Sequence, residues 1–359
     1  MTFARRPLQR LVGDASPRTL WLLAALLVLL LVAPAILGKY WLSVLILALY
    51  FAYVGQAWNI LMGFAGQLSL GHALYAGLGG YIAAGLFFHY GIGPWAGVFA
   101  AVATAVLAGA IVGYLGFRFS LAGVYFALLT IAFSEFTRLA FDHWEWAGGA
   151  GGLFLKVDGG TDIVNLRGGP LLFYYVILAL AAFAFILCRA LLESRLGRYW
   201  LAIREDAEAA QAVGVPVLRC KMIAIVISAA LTALAGVWNA FYYNNLFPET
   251  AFAVGRSIEI TLAPIIGGLG TLFGPVVGAV VLAGLGEAFT DLGETLGISG
   301  IKQIFYGLAL LVIVMYRPAG VWPWLAGKLG LAERRPWAAR GSRSPVSARA
   351  SAACARCTT

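Results

Sequence analysis

Leu20-Trp-Leu-Leu-Ala-Ala-Leu-Leu-Val-Leu-Leu-Leu-Val-Ala-Pro-Ala-Ile-Leu37 contains no charged residue. A run of this length approaches the ~20 apolar residues needed to cross a hydrocarbon core of ~30 Å. It is apolar throughout and does not alternate, so it does not read as a strand of a membrane barrel. Inside a bilayer every backbone N–H and C=O must be paired within the protein, and a helix does this locally. Similar runs recur to residue 316. Of the 359 residues, 62% are hydrophobic and 11% charged, where a soluble protein carries about a quarter charged. Mean hydropathy is +0.88. The chain therefore reads as an all-α polytopic membrane protein.

Ten spans fit the pattern: residues 19–37, 41–62, 68–88, 94–115, 121–141, 170–191, 221–243, 257–270, 272–289 and 301–316. The eighth is short, and Gly267, Gly268, Gly270, Gly274 and Pro275 interrupt it and the ninth. Three regions follow: a basic N-terminus 1–18, a membrane domain 19–321 with a polar loop 192–220, and a basic tail 322–359. Within that tail, residues 332–359 lack an apolar period and read as disordered.

The net charge of +9 could point to nucleic acid, but its distribution points to topology. Arg5, Arg6, Arg10 and Arg18 precede the first span. Arg189, Arg195, Arg198, Arg204, Arg219 and Lys221 flank the polar loop. Arg317, Lys328, Arg334, Arg335, Arg340, Arg343, Arg349 and Arg356 follow the last span. Basic clusters of this kind stay on the cytoplasmic side, which puts both termini and the loop inside. The connections 142–167, 244–256 and 290–302 are balanced in charge and expected outside. The N-terminus resembles a signal peptide around Ala33-Pro34-Ala35, yet further spans follow, and an uncleaved first span is the expectation. Cys354-Ala-Arg-Cys357 lacks the four ligands of a zinc site. No metal or cofactor is expected.

The polar loop is a charged island in an oily chain: six charges lie between Arg195 and Glu208. Residues 208–213 are good helix material. Asp206 and Glu208 favour a helix start, Gly214 supplies a C-terminal cap, and Pro216 stops continuation. Arg204 and Glu208 stand four apart and can pair. The alanines offer a small face that another protein can approach closely. No phosphate-cradling loop is visible: Gly38-Lys39 and Gly327-Lys328 lack both the upstream Gly and the following hydroxyl. If ATP drives this chain, another protein binds it. A faint internal echo relates Gly63-Phe-Ala-Gly66-Gln-Leu68 to Gly267-Gly-Leu-Gly270-Thr-Leu272. Paired glycine breaks can mark a transport pathway, or simply let helix backbones approach.

Glu208-Ala209-Ala210-x-x-x-Gly214 resembles the EAA motif of permease subunits of bacterial ABC importers, without its usual downstream Ile-x-Leu-Pro. The stretch from Asn59 through Gly63, Gly66, Gln67, Ser69 and Gly71 to His72 resembles the early signature of branched-chain amino acid permeases. Gly197-Arg198, Arg204-Glu205-Asp206 and Ala209-Ala210 resemble their coupling loop. The glycines from Gly267 to Gly278 and Arg317-Pro-Ala-Gly320 resemble their late motifs. The likeness covers residues 56–321 and is nearest the M-type of the two permease subunits. It implies the ten-helix fold of type II importers, such as the cobalamin importer. It also implies an H-type partner permease, two cytoplasmic ATPases, a periplasmic binding protein and a place in the bacterial inner membrane. Arg198, Arg204, Glu205, Asp206, Glu208, Ala209, Ala210 and Gly214 would couple to the ATPases. The substrate class would be branched-chain or related amino acids.

Polar residues inside the spans are the pathway candidates: Asn59, Gln67, Ser69, His72, Thr130, Ser134, Glu135 and Asn239. Buried ionisable groups in membranes are functional candidates, but polar side chains also join helices. For His72 the interhelical hydrogen bond is favoured. Glu135 has Arg138 one turn on as its partner. The competing reading is an ion-coupled secondary transporter using Glu135, Glu259 or Glu287. A membrane enzyme would need a nucleophile–base or metal constellation, and His72, His89 and His143 are scattered without metal spacing.

Overall fold

The computed structural model describes residues 17–155, 166, 168–296, 301–316 and 319–328. The expectations for residues 1–16, for the tail 332–359, for Arg317 and for the Cys354/Cys357 pair lie outside them. The fold is almost wholly helical: α1 (Pro17–Ile36), α2 (Lys39–Asn59), α3 (His72–Tyr90), α4 (Pro94–Arg118), α5 (Val124–Asp142), α6 (Pro170–Glu193), α7 (Arg195–Glu205), α8 (Ala207–Ala212), α9 (Val217–Tyr243), α10 (Pro248–Ala251), α11 (Val254–Gly267), α12 (Gly274–Leu296), α13 (Ile301–Tyr316) and α14 (Val321–Lys328). Two short strands, β1 (Leu153–Phe154) and β2 (Asn245–Leu246), pair antiparallel. One compact unit ends at Trp322. The second begins at Pro323, where the rest of α14 holds Lys328 Nζ 4.3 Å from the Trp324 ring centre.

Every expected span overlaps a helix, although residues 68–71 and 121–123, expected to open two of them, are not helical. Among the described residues six segments are long and apolar enough to cross a membrane: Lys39–Phe64, Pro94–Arg118, Val124–Asp142, Pro170–Glu193, Val217–Tyr243 and Pro248–Gly267. The boundaries differ where polar residues continue a helix. α12 runs on to Leu296 rather than ending near 289, because loss of apolar character does not interrupt the backbone ladder. The span expected at 257–270 is a half-length helix of 14 residues, α11, fed by the short α10.

Helices α2 and α9 form the centre. α9 packs along α3 and α4, and α2 packs on α12, α6 and α11. From Ala48 to Asn59, α2 is buried on all sides, as expected of an inner helix apolar all round. Tyr53 donates to Leu231 O (2.8 Å) and Trp58 Nε1 to Ser69 O (2.8 Å). These bonds satisfy the polar tips of two large buried rings. By contrast α4 and α5 expose Phe99, Leu107, Val124, Tyr125 and Phe136. Such a surface fits lipid or a partner helix rather than water.

The bundle has two distinguishable ends. One carries β1 and β2, joining the loop after α5 to the end of α9. The other carries α7 and α8, between α6 and α9.

Candidate functional site

The island forms two helices, not one. Ser194 caps α7, its Oγ accepting from Gly197 N (3.3 Å). Gly197, Trp200 and Ile203 form the buried stripe of α7. Trp200 is fully enclosed, and its Nε1 donates to Cys220 O at the start of α9 (2.8 Å), which anchors the island to the membrane domain. Asp206 breaks the run: its backbone is extended, and its Oδ1 accepts from Glu208 N (2.9 Å) and Ala209 N (3.0 Å). α8 then ends as the sequence anticipates. Gly214 has φ +89°, Gly214 N donates to Gln211 O (2.9 Å), and Val215 N donates to Ala210 O (3.0 Å). Ala210 faces inward, while Glu205, Glu208, Ala209 and Val213 face out, Val213 being 81% exposed. Arg198 is also exposed and donates to Glu193 O (3.2 Å).

The Asp206 cap gives a local prediction. Losing such a cap costs about 0.5–2 kcal/mol. Asp206→Ala should therefore fray α8 while leaving the bundle intact, read as faster amide exchange confined to residues 207–212. Unchanged exchange there would rule the cap out.

Arg204 does not pair with Glu208. Its Nη1 donates to Gly63 O (2.7 Å) and its Nη2 to Glu205 Oε1 (3.1 Å). Gly63 belongs to a π-helical turn, Ile60–Phe64, that ends α2. In that turn Gln67 N bonds Leu61 O (3.0 Å) rather than Gly63 O, so the Gly63 carbonyl is open to Arg204. The second glycine break lies directly alongside. Asn59 Oδ1 accepts from Gly270 N (2.9 Å), Asn59 Nδ2 donates to Thr271 O (2.9 Å), and Gln56 Nε2 donates to Leu272 O (2.6 Å). Gly66 and Gly270 both sit in the left-handed region, at φ +70° and +72°, which a side chain would strain. A Cβ on Gly66 would meet Arg204 Cγ at 3.0 Å, and one on Gly270 would run into Arg204 Nη1. One guanidinium from the island thus lies against both breaks, with Asn59 and Gln56 stitching them together. Gly274 extends the second break, its N bonded to Thr271 Oγ1 (3.0 Å). At Gly267 a Cβ would run into Gly274 O.

The other polar candidates fall into separate groups. Gln67 folds back on Ala65 O (3.0 Å). His72 is enclosed at the start of α3, between Ser69 and Ser228. Ser228 Oγ donates to Ala57 O (2.7 Å), so its hydrogen is committed. His72 Nε2–H therefore donates to Ser228 Oγ (2.8 Å), and Nδ1 accepts from Ser69 Oγ (3.2 Å). The imidazole joins α3, the preceding loop and α9. His72→Ala would leave buried hydroxyls short of a partner, at about 1–3 kcal/mol. A lowered thermal midpoint of the detergent-solubilised protein would show it, and an unchanged midpoint would refute it. Thr130 Oγ1 accepts from Leu70 N (3.1 Å) and donates to Ala127 O (2.7 Å). Ser134 donates to Phe252 O (2.8 Å). Glu135 pairs with Arg138 (2.7 Å), which also holds Asp142 (3.0 Å) on a partly exposed face of α5. Asn239 stands near the opposite end of the bundle and lines a cavity with Glu287.

Ser228 and Ser257 were not singled out by sequence. Ser257 Oγ accepts from Ala73 N (2.9 Å). Each is a lone hydroxyl on an apolar helix, and only the tertiary partner distinguishes it from a solvated serine. Gln56 Oε1 and Tyr81 OH are buried without a protein partner among the described residues. No group of three or more His, Cys, Asp or Glu side chains there could hold a metal ion.

A multi-pass helical bundle, broken by paired glycine turns and tied to a polar interhelical loop, has the make-up of a membrane transport component. Residues 40–315 match the family described as branched-chain amino acid transport system / permease component, and the chain belongs to that family. It is similar to the high-affinity branched-chain amino acid transport system permease protein LivM of Escherichia coli: 28% identical over 332 residues, covering 86% of this chain and 76% of that protein. The LivM of Salmonella typhimurium is 27% identical over the same coverage. A shorter stretch of 128 residues is 28% identical to LivH of Escherichia coli, covering 36% of this chain and 40% of LivH. No solved structure matches the chain at a significant level.

Proposed function

We propose that this chain is the M-type permease subunit of an ATP-binding-cassette importer for branched-chain or related amino acids in a bacterial inner membrane. It pairs with an H-type permease, receives substrate from a periplasmic binding protein, and is driven by two separate ATPases. The likeness to LivM over most of both chains supports the subunit type, and the partial likeness to LivH supports a related second permease. The α7/α8 end, with both termini, faces the cytoplasm.

The observation that carries the coupling role is Arg204, which links the exposed island to both glycine breaks. An ATPase gripping Glu205, Glu208, Ala209 and Val213 on α7 and α8 pulls on that guanidinium. The glycine breaks are where the helices change their packing in response. Asn59, Gln67, Gly63, Gly66, Gly267, Gly270 and Gly274 form the moving floor of the pathway. Ser69, His72, Thr130 and Ser134 hold the helices around it.

Ala209→Arg tests the docking face. Ala209 is exposed, so a long cation there disturbs a partner rather than the fold. The expected result is a normal amount of permease in the membrane, loss of co-purifying ATPase, and leucine uptake reduced at least tenfold. Wild-type ATPase association together with wild-type uptake would remove α8 from the docking surface.

A further inference from the structure

At the end of the bundle opposite α7 and α8, the first turns of α2 and the last turns of α9 part around a cavity of about 240 Å³. This lies below the roughly 300–1,000 Å³ typical of drug-sized sites, and suits one small solute. Tyr50, Trp238 and Tyr242 form its aromatic wall, and Ser43, Asn239 and Glu287 its polar part. The wall is a continuous stack: Tyr50 lies 5.6 Å from Trp238, and Trp238 lies 4.8 Å from Tyr242. Trp238 Nε1 is occupied by Phe173 O (3.2 Å), which fixes the indole plane.

An ion pair adjoins this wall. The Arg256 guanidinium carbon is 5.2 Å from the Tyr50 ring centre, and Arg256 Nη1 is 3.2 Å from Glu259 Oε2. Both residues lie on the first two turns of α11. Arg256 and Glu259 are also electrostatic neighbours of Tyr243, which lines the cavity, and Glu259 and Glu287 share Tyr306 as a neighbour. Neither member of the pair is sealed: the side chains are 25% and 34% exposed. Charged groups on membrane helices are costly and mark solute paths. The ordinary alternative is a structural i,i+3 pair, but that does not explain an open cavity, an aromatic wall and a second carboxylate beside it.

We propose that this cavity receives the transported amino acid as its zwitterion. Arg256 takes the carboxylate, Glu259 and Glu287 take the ammonium, and the aliphatic side chain lies on the Tyr50/Trp238/Tyr242 wall. This rests on the permease reading above and deepens it. A solute lacking either charge forgoes one charge-assisted bond and binds more weakly.

The experiment uses the complete transporter in proteoliposomes with radiolabelled leucine and two variants. Arg256→Gln removes the carboxylate partner. Ser43→Trp fills the cavity and leaves the ion pair untouched. Both are expected to assemble, to hydrolyse ATP within twofold of wild type, and to lose at least tenfold in leucine uptake. If Arg256→Gln does not assemble, Ser43→Trp alone decides. Wild-type uptake in Ser43→Trp overturns the proposal whatever Arg256→Gln does, since the pair would then act away from the cavity. Wild-type uptake in an assembled Arg256→Gln overturns it too. A wild-type complex that moves no amino acid would instead count against the permease reading itself.

Discussion

Arg204→Ala is expected to cut leucine uptake by at least tenfold while the complex still assembles and hydrolyses ATP. The side chain makes a charge-assisted bond to Gly63 O and packs against Gly66 and Gly270. A hydrogen bond to a charged group contributes about 1.5–3 kcal/mol, a shift of roughly 10- to 150-fold in any equilibrium that makes or breaks it. Trp200 still anchors α7 to α9 in this variant, so the island stays folded. What is lost is the link between island and breaks, and hydrolysis should run without transport. Arg204→Lys should fall between, because an ammonium can reach the Gly63 carbonyl but lacks the planar fork that also binds Glu205 and lies against Gly270. Uptake and hydrolysis measured in the same vesicles check this. Uptake within twofold of wild type in Arg204→Ala would show that the contact transmits nothing.

Gly278→Val should severely damage the fold. A Cβ at Gly278 would run into Ala263 O and lie 2.7 Å from Gly267 N. Those are backbone atoms of the adjoining helix and cannot rotate away. Overpacking typically costs about 1–3 kcal/mol where side chains can adjust, and here α11 and α12 would have to separate. Gly284, two turns further along α12, has no atom within 4 Å of its virtual Cβ, so Gly284→Val is the internal control. The expected result is a collapse in monodisperse yield for Gly278→Val beside near-normal yield for Gly284→Val. Equal yields would mean that the two helices do not pack as described.

Much of the architecture was legible because membrane helices announce themselves by apolar length. α4, α6 and α9 start or end within a few residues of the expected spans, where Pro94, Pro170 and Arg118 punctuate the runs. The two ends of α8 were legible from local chemistry, since Asp206 and Gly214 act on atoms within a few residues of themselves. The division of the island at Asp206 was not, because a continuous amphipathic helix and two helices meeting at a cap share much the same periodicity. Arg204 was assigned to Glu208 by spacing, but its partner is 141 residues away. The similarity of the two glycine breaks was visible. That they touch depends on Asn59 meeting Gly270 across 211 residues, and no local signal encodes that. The polar candidates read as one pathway resolve into a floor, a set of interhelical joints and a distant cavity.

The π-helical turn at Ile60–Phe64 carries a last consequence, for insertions and deletions. That turn differs from an ordinary helical one by a single extra residue, and the helix ends at Gly66, whose left-handed backbone sends Gln67 N back to Leu61 O and leaves the Gly63 carbonyl unclaimed. Loss of one in-frame codon between Ile60 and Phe64 would rotate the following residues by about 100° around the helix and carry that carbonyl away from Arg204. The chain would keep its apolar length and every residue of α7 and α8, and still have nothing for Arg204 to hold. At this turn the count of residues matters as well as their identity: a side chain on Gly63 would run into Asn59, and a lost residue would turn Gly63 away altogether.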